Sequence, residues 1–94
     1  LTLNEFMYMT DLKLFFGVSI NQKFYVHFQY NSYSLDEHEG CLIKGTSGRG
    51  DTVLQALEDY LNKVCGKDLW YCAGLKNEKK FKVPKEIKIH GIRV

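Results

Sequence analysis

The sequence predicts an α+β domain: an antiparallel sheet of about four to five strands with one helix packed on one face, in the order β-β-β-α-β-β. Three observations predict it. Residues 13–30 alternate apolar and polar side chains in two runs separated by Asn21-Gln22, residues 51–64 repeat apolar side chains at steps of three and four, and short strand-like runs return after Gly66. Alternation with period two marks a half-buried strand, whereas steps of three and four collect side chains on one helix face. Strands grouped around a single helix favour one covered face and one open face.

Composition sets the bounds. Ninety-four residues make a single domain, 1–94, with a thin core. A hydrophobic share of 45% and an aromatic share of 14% exclude a disordered chain and fit a packed globule. The longest nearly apolar stretch, Leu12 to Ile20, is broken by Lys13 and Ser19 and is too short to span a bilayer. Residues 1–20 lack the basic, apolar and small-residue succession of a secretory signal, so a cytoplasmic location is expected. Cys41, Cys65 and Cys72 form no C-x-x-C and cannot all pair within one chain, so they are expected as reduced, mostly buried thiols.

Taken in order, residues 1–11 have no clean period and fit either a short helix or a mobile end. Lys13 onward places Leu14, Phe16, Val18 and Ile20 on one side and Phe15, Gly17 and Ser19 on the other. Lys23 to Tyr30 places Phe24, Val26, Phe28 and Tyr30 opposite Tyr25, His27 and Gln29, and the short polar break between the runs predicts an antiparallel hairpin. Asn31 to Gly40, rich in Asn, Ser, Asp and Glu, is expected as an exposed loop with an acidic tip, and Cys41 to Gly45 as a third strand returning beside the second. The stretch Gly45-Thr46-Ser47-Gly48-Arg49-Gly50 then enters a helix over Asp51 to Val64.

That helix has the clearest signals in the chain. Thr52 stands three residues before Gln55, the spacing of a reciprocal cap, and Asp51 adds negative charge at the positive end of the dipole. Val53, Leu54, Leu57, Tyr60, Leu61 and Val64 define its apolar face, and Gly66 follows the last of them as a stop. Beyond it, Asp68 to Ala73 alternates as a fourth strand, with Asn77-Glu78 as a turn and Lys79 to Val83 as a hairpin partner before Pro84. In the last run Ile87 and Ile89 differ in parity from Ile92 and Val94, which a bulge at Gly91 would reconcile.

Each chemical candidate competes with a plainer role. Gly45, Gly48 and Gly50 with Arg49 resemble an anion-binding turn at a helix start, but the Lys-Ser/Thr of a Walker loop is missing and Asp51 would repel a phosphate. A flexible strand-to-helix connection is preferred. His38-x-x-Cys41 has metal-pair spacing, but Cys65 and Cys72 are too far apart to complete a site, so no metal and no cofactor are expected. No spacing brings His27, His38 or His90 to a cysteine, and no catalytic residues are assigned.

Charge divides the chain. Residues 1–75 hold six Lys or Arg against nine Asp or Glu, and residues 76–94 hold seven against two. The basic segment, Lys76, Lys79, Lys80, Lys82, Lys85, Lys88 and Arg93, can contact phosphates or simply guard a sheet edge against aggregation.

Tyr25-Val26-His27-Phe28, then Gly40-Cys41-Leu42-Ile43-Lys44-Gly45, then Gly50-Asp51-Thr52 leading into Gln55-Ala56-Leu57, resembles the N-terminal domain of HicB-like antitoxins. The chain as a whole resembles small accessory proteins of phages and integrated elements. The resemblance implies a partial ribonuclease H-like α+β fold that masks a partner, typically an RNA-cleaving toxin, without catalysis of its own. Gly40, Gly50, Asp51 and Thr52 would then be structural. The chain departs from the pattern where Asp36-Glu37-His38-Glu39 replaces a proline-bearing turn and where Thr46 to Arg49 are inserted.

The expected function is therefore a non-enzymatic binding module that masks or inhibits another protein of host or phage, such as a nucleic-acid-handling enzyme. Asp36, Glu37 and Glu39 would stand in for phosphates, and Tyr30, Tyr33 and Trp70 would supply apolar anchors. The alternative is direct nucleic-acid binding through residues 76–93. An exposed edge in the final strand would also permit a homodimer.

Overall fold

A computed structural model describes residues 1–21, 23–39 and 42–89. Along them the chain runs α1 (Leu3–Thr10), β1 (Lys13–Val18), β2 (Phe24–Tyr30), β3 (Tyr33–Ser34), β4 (Asp36–Glu39), β5 (Leu42–Gly45), β6 (Gly48–Gly50), α2 (Val53–Val64), β7 (Asp68–Tyr71) and β8 (Lys79–Lys82). The α+β class and the antiparallel pairing follow the sequence pattern. The strands form two four-stranded sheets where one sheet was expected, and residues 1–11 supply a second helix.

The first sheet is built on β2. β1 lies along one side, with Lys13 opposite Gln29 and Val18 opposite Phe24, the hairpin that the alternation predicts. Two short strands share the other side: β3 against Gln29 and Tyr30, and β6 against Phe24, Tyr25 and Val26. On this second side β2 has no strand partner at His27 and Phe28. The buried Phe28 N–H left without a strand acceptor there is satisfied by the Tyr60 hydroxyl of α2, which accepts it at 3.0 Å.

The second sheet has the order β5-β4-β7-β8. It exists because residues 33–39, expected as a loop, are extended: β3 belongs to the first sheet, Leu35 is buried, and β4 continues into the second. The polar composition of this segment hides one core side chain at Leu35 and another inward-facing position at Glu37. β5 then returns along β4 and not beside β2 as expected, leaving the flank of β2 to the glycine-rich segment.

That segment is a strand and not a flexible connection. A methyl on Gly48 would overlap the Ala56 carbonyl and the Tyr60 backbone, and one on Gly50 would lie 2.6 Å from the Ala56 nitrogen. Neither glycine has positive φ; they are small because α2 lies directly on β6.

Helix α2 begins at Val53, two residues later than the sequence boundary. Thr52 accepts the Gln55 N–H at 3.1 Å, and the Gln55 side chain accepts the Asp51 N–H at 3.1 Å, one residue before the reciprocal partner expected. Thr52→Ala should cost about 1 kcal/mol, with Thr52→Ser restoring most of it; melting temperatures of the three proteins check this, at about 4 to 8 °C per kcal/mol. At the other end Gly66 has φ +81° and donates to the carbonyls of Val83 and Pro84, tying the helix stop to the end of β8.

Helix α1 forms because Thr2 and Glu5 make a full capping box, which holds the Glu5 carboxyl below its ordinary pKa through its hydrogen bonds with Thr2. Leu3 and Phe6 are its buried residues, and the Phe6 ring meets Phe28 at 5.6 Å. Thr2 and Lys88 form a parallel bridge beside it. One core runs through both helices and both sheets, with Val26, Phe28, Leu57, Tyr60, Leu69 and Val83 among its buried side chains.

The helices do not cover all of β1. Phe16 and Val18 share the parity of buried Val26 and were expected to be covered, yet Val18 is 61% exposed, Phe16 is partly exposed, and Ile20 beyond them is fully exposed. β1 is an edge strand. The expected final strand is described only as far as Ile89, with Ile87 and Ile89 half-buried; Gly91, Ile92 and Val94 lie outside the described residues.

Candidate binding surfaces

The acidic cluster is not a free loop. Glu37 lies on the inner side of β4, 7% exposed, and accepts from Lys67 Nζ at 2.7 Å and from the Thr46 hydroxyl at 2.8 Å. A carboxylate held this way joins β4, the segment before β6 and the chain after α2, and is not presented to a partner. Asp36 is half-buried beside Trp70 in the register, and the Glu39 side chain lies outside the described residues. Of the three carboxylates expected as an acidic contact, Glu37 is the one shown to be held internally.

The aromatic anchors divide. Tyr30 is half-buried, meeting Tyr71 at 4.8 Å and Phe81 at 5.2 Å, so it helps join the two sheets. Tyr33 is largely exposed, and Trp70 is half-buried under Lys80, whose Nζ lies 5.6 Å from the ring centre. Trp70 belongs to the second sheet, whereas Tyr25 and His27 belong to the first.

Three of the seven basic residues, Lys79, Lys80 and Lys82, lie on β8, the outer strand of the second sheet. Lys79 turns back over the ring of Tyr30, at 4.8 Å, and donates to its hydroxyl at 3.3 Å. Lys80 and Lys82 take the opposite parity, and Lys76, Lys85 and Lys88 are exposed. Arg93 lies outside the described residues. This distribution is that of a guarded edge, in which charges discourage a further strand.

Anion binding at the helix start, the less favoured alternative in the sequence, gains no support. The Arg49 N–H donates to the Asp59 carboxylate at 2.9 Å, and Asp51 is paired with Lys23 at 2.9 Å. Carboxylates hold the positions that a phosphate would take. Hydrogen bonds from Lys63 and from the Arg49 backbone keep Asp59 below its ordinary pKa. Gly45 has open space around it.

Chemistry finds little footing. Cys65 and Cys72 are half-buried free thiols, and burial pushes the Cys65 thiol up, the direction opposite to an activated nucleophile. Among the described residues no three His, Cys, Asp or Glu side chains gather as metal ligands. Cys41 and the His38 side chain lie outside them. No helix among the described residues is long and apolar enough to cross a membrane.

No family model, curated protein or solved structure matches the chain. Function must therefore be read from the surfaces themselves.

Two surfaces of the first sheet combine exposed apolar or aromatic side chains. One is the uncovered edge of β1 with Phe16, Val18 and Ile20. The other is the sheet's outer face, carrying Phe15, Tyr25 and His27, with a cleft of about 280 Å³ where β3 and β6 part. Sequence alternation places Tyr25 and His27 on this face, but not the cleft walls at Ser34, Leu35, Thr46 and Ser47, which depend on residues 33–35 being extended. The alternation Tyr33-Ser34-Leu35 was the available signal.

Proposed function

We propose that this protein is a non-enzymatic, cytoplasmic binding module that masks another protein by accepting one of its extended segments along β1. A single contrast carries the proposal. Both β1 and β8 are outer strands, yet β8 is lined by Lys79, Lys80 and Lys82, whereas β1 has only Lys13 at its start. A six-residue edge with no Pro, no bulge and exposed apolar side chains is a template for strand addition.

The partner segment would be extended and mainly apolar, pairing its main chain with β1 and placing side chains against Phe16 and Val18. Backbone pairing supplies affinity, and the pockets beside alternate side chains supply selectivity. The resemblance to HicB-like antitoxins supplies the class of partner proposed: a nucleic-acid-handling protein of a host or phage, held inactive by occupation, with this chain as a small phage or prophage accessory protein. The acidic residues are not needed for this; the apolar edge replaces them as the principal contact.

The test compares the native chain with Val18→Lys and Phe16→Lys in complexes formed in host extract. Each variant should weaken the recovered complex at least tenfold, and amides of β1 should gain hydrogen-exchange protection when the partner binds. Equal recovery with both variants, or unchanged exchange in β1, would remove the proposal. Light scattering that shows the partner to be a second copy joined at β1 would replace masking with self-assembly.

A further inference from the structure

The outer face of the first sheet has an order that the edge proposal does not use. Residues opposite one another in adjacent antiparallel strands share a face, so the register gives three rows: Lys13, Gln29 and Ser34; Phe15 and His27; Gly17, Tyr25 and Arg49. The third place in the middle row is the gap between β3 and β6, which is the cleft. No Asp or Glu stands in these rows, and both of their charged side chains are cationic. Arg49 is exposed, and its guanidinium has no ion-pair partner among the described residues.

The rings in the middle of this face are close and nearly parallel. Phe15 and His27 lie 5.2 Å apart at 21°, Tyr25 and His27 lie 6.4 Å apart at 21°, and Phe15 and Tyr25 lie 6.0 Å apart at 40°. Gly17 permits this: a Cβ there would meet the Tyr25 ring, which lies across the bare backbone of β1. Phe15 is 38% exposed, and Tyr25 and His27 are half-buried, so the rings are held in place and still reachable.

The cleft beside them is lined by Tyr25, His27, Arg49, Ser34 and Ser47, with Ser19 at its margin. Ser19 Oγ is shielded from solvent and has no hydrogen-bond partner among the described residues, an unsatisfied polar group beside the cleft.

We infer that this face binds single-stranded nucleic acid: bases stack on Phe15, Tyr25 and His27, backbone phosphates meet Arg49 and Lys13, and one base edge enters the cleft. Aromatic surface, positive charge and hydroxyl donors and acceptors within one face match the three parts of a nucleotide. Stacking accepts any base because every base has a π face, while phosphate contact supplies the charge-dependent share of affinity. A four-stranded sheet with exposed rings accommodates about two or three stacked bases. Strand geometry places Lys13 and Arg49 about 16 Å apart on the diagonal, within reach of such a segment. A duplex would not serve, since its bases are already stacked and its edges turned inward. The site is separate from β8, whose lysines are turned partly onto Tyr30 and Trp70.

The experiment is fluorescence anisotropy with labelled single-stranded RNA and DNA octamers of mixed sequence, at several salt concentrations, on the native chain and on Phe15→Ala, Arg49→Gln and Lys79→Gln/Lys80→Gln/Lys82→Gln. A duplex of the same sequence and free mononucleotides are titrated in parallel. Phe15→Ala should weaken octamer binding about tenfold or more. Arg49→Gln should weaken it and reduce the salt slope by about 0.7. The triple β8 variant should leave affinity within about threefold, with duplex and mononucleotides binding far more weakly than the octamer. Arg49→Gln replaces an exposed side chain, so its result stands even if Phe15→Ala proves unstable. Octamer binding unaffected by Arg49→Gln, binding lost only in the β8 variant, mononucleotides binding as tightly as the octamer, or no octamer binding at low salt would each overturn the inference.

Discussion

Gly48→Ala should destabilise the protein by about 3 kcal/mol or more, whereas Gly45→Ala, three residues earlier in the same glycine-rich stretch, should change stability by less than about 0.5 kcal/mol. The difference comes from what each added methyl meets. At Gly48 it meets the Ala56 carbonyl and the Tyr60 backbone, parts of a helix that cannot rotate aside, and at Gly45 it meets nothing within 4 Å. Gly50→Ala should fall between them, since its nearest neighbours, Ala56 N and Gln55 Cβ at 2.6 Å, lie farther off than those of Gly48. Chemical denaturation of the three variants measures the order directly. Were the stretch a flexible anion-binding turn, all three substitutions would act chiefly through loop entropy and their effects would be small and similar. Equal stabilities for Gly48→Ala and Gly45→Ala would refute close packing of α2 on β6.

The same stretch shows where sequence patterning succeeds and where it stops. Helix α2 was legible because propensity, periodicity and capping agree at Thr52, Gln55, Leu57, Leu61 and Gly66. The β1–β2 hairpin was legible because alternation over Lys13 to Tyr30 survives in both strands. Neither signal says how near two elements approach, and it is nearness that makes Gly48 and Gly50 glycines. Residues 33–39 were misread for a related reason. A strand that passes between two sheets buries Leu35 and Glu37 among its described side chains, and a buried carboxylate held by Lys67 and Thr46 looks in sequence like a solvated one. Long-range partners, Lys67 being thirty residues from Glu37, leave no local trace. Phe16 and Val18 show the converse limit: their parity predicts the core, but they stand on an edge strand that the helices leave partly uncovered. On the outer face Tyr25 and His27 could be assigned from parity, yet the cleft required β3 and β6 to share one flank of β2.

Tyr60→Phe should lower stability by about 1 to 3 kcal/mol near neutral pH, and the deficit should narrow as pH rises from 10 to 12. The hydroxyl lies where β3 and β6 leave one flank of Phe28 without a strand, and its removal leaves the Phe28 N–H buried and unsatisfied. The ring is 1% exposed and meets Phe28 edge-on at 5.3 Å, so Phe can keep the packing while losing the acceptor. Burial pushes the Tyr60 hydroxyl up to about 12. An unfolded tyrosine ionises near 10, so between these values the folded chain retains a proton that the unfolded chain has released. Because the folded pKa is the higher, the stabilisation is complete below pH 10 and is lost as pH rises through the folded value, to the extent of about 3 kcal/mol. Tyr60→Phe lacks this dependence. Urea denaturation of the two proteins at pH 8, 10, 11 and 12 separates the contributions: a deficit at pH 8 reports the hydrogen bond, and its decline reports ionisation. A constant deficit would mean that a bound water or a backbone shift lets the phenolate form without unfolding. Stability unchanged at every pH would mean that the gap in β2 is satisfied by another acceptor and that Tyr60 does not join α2 to the first sheet.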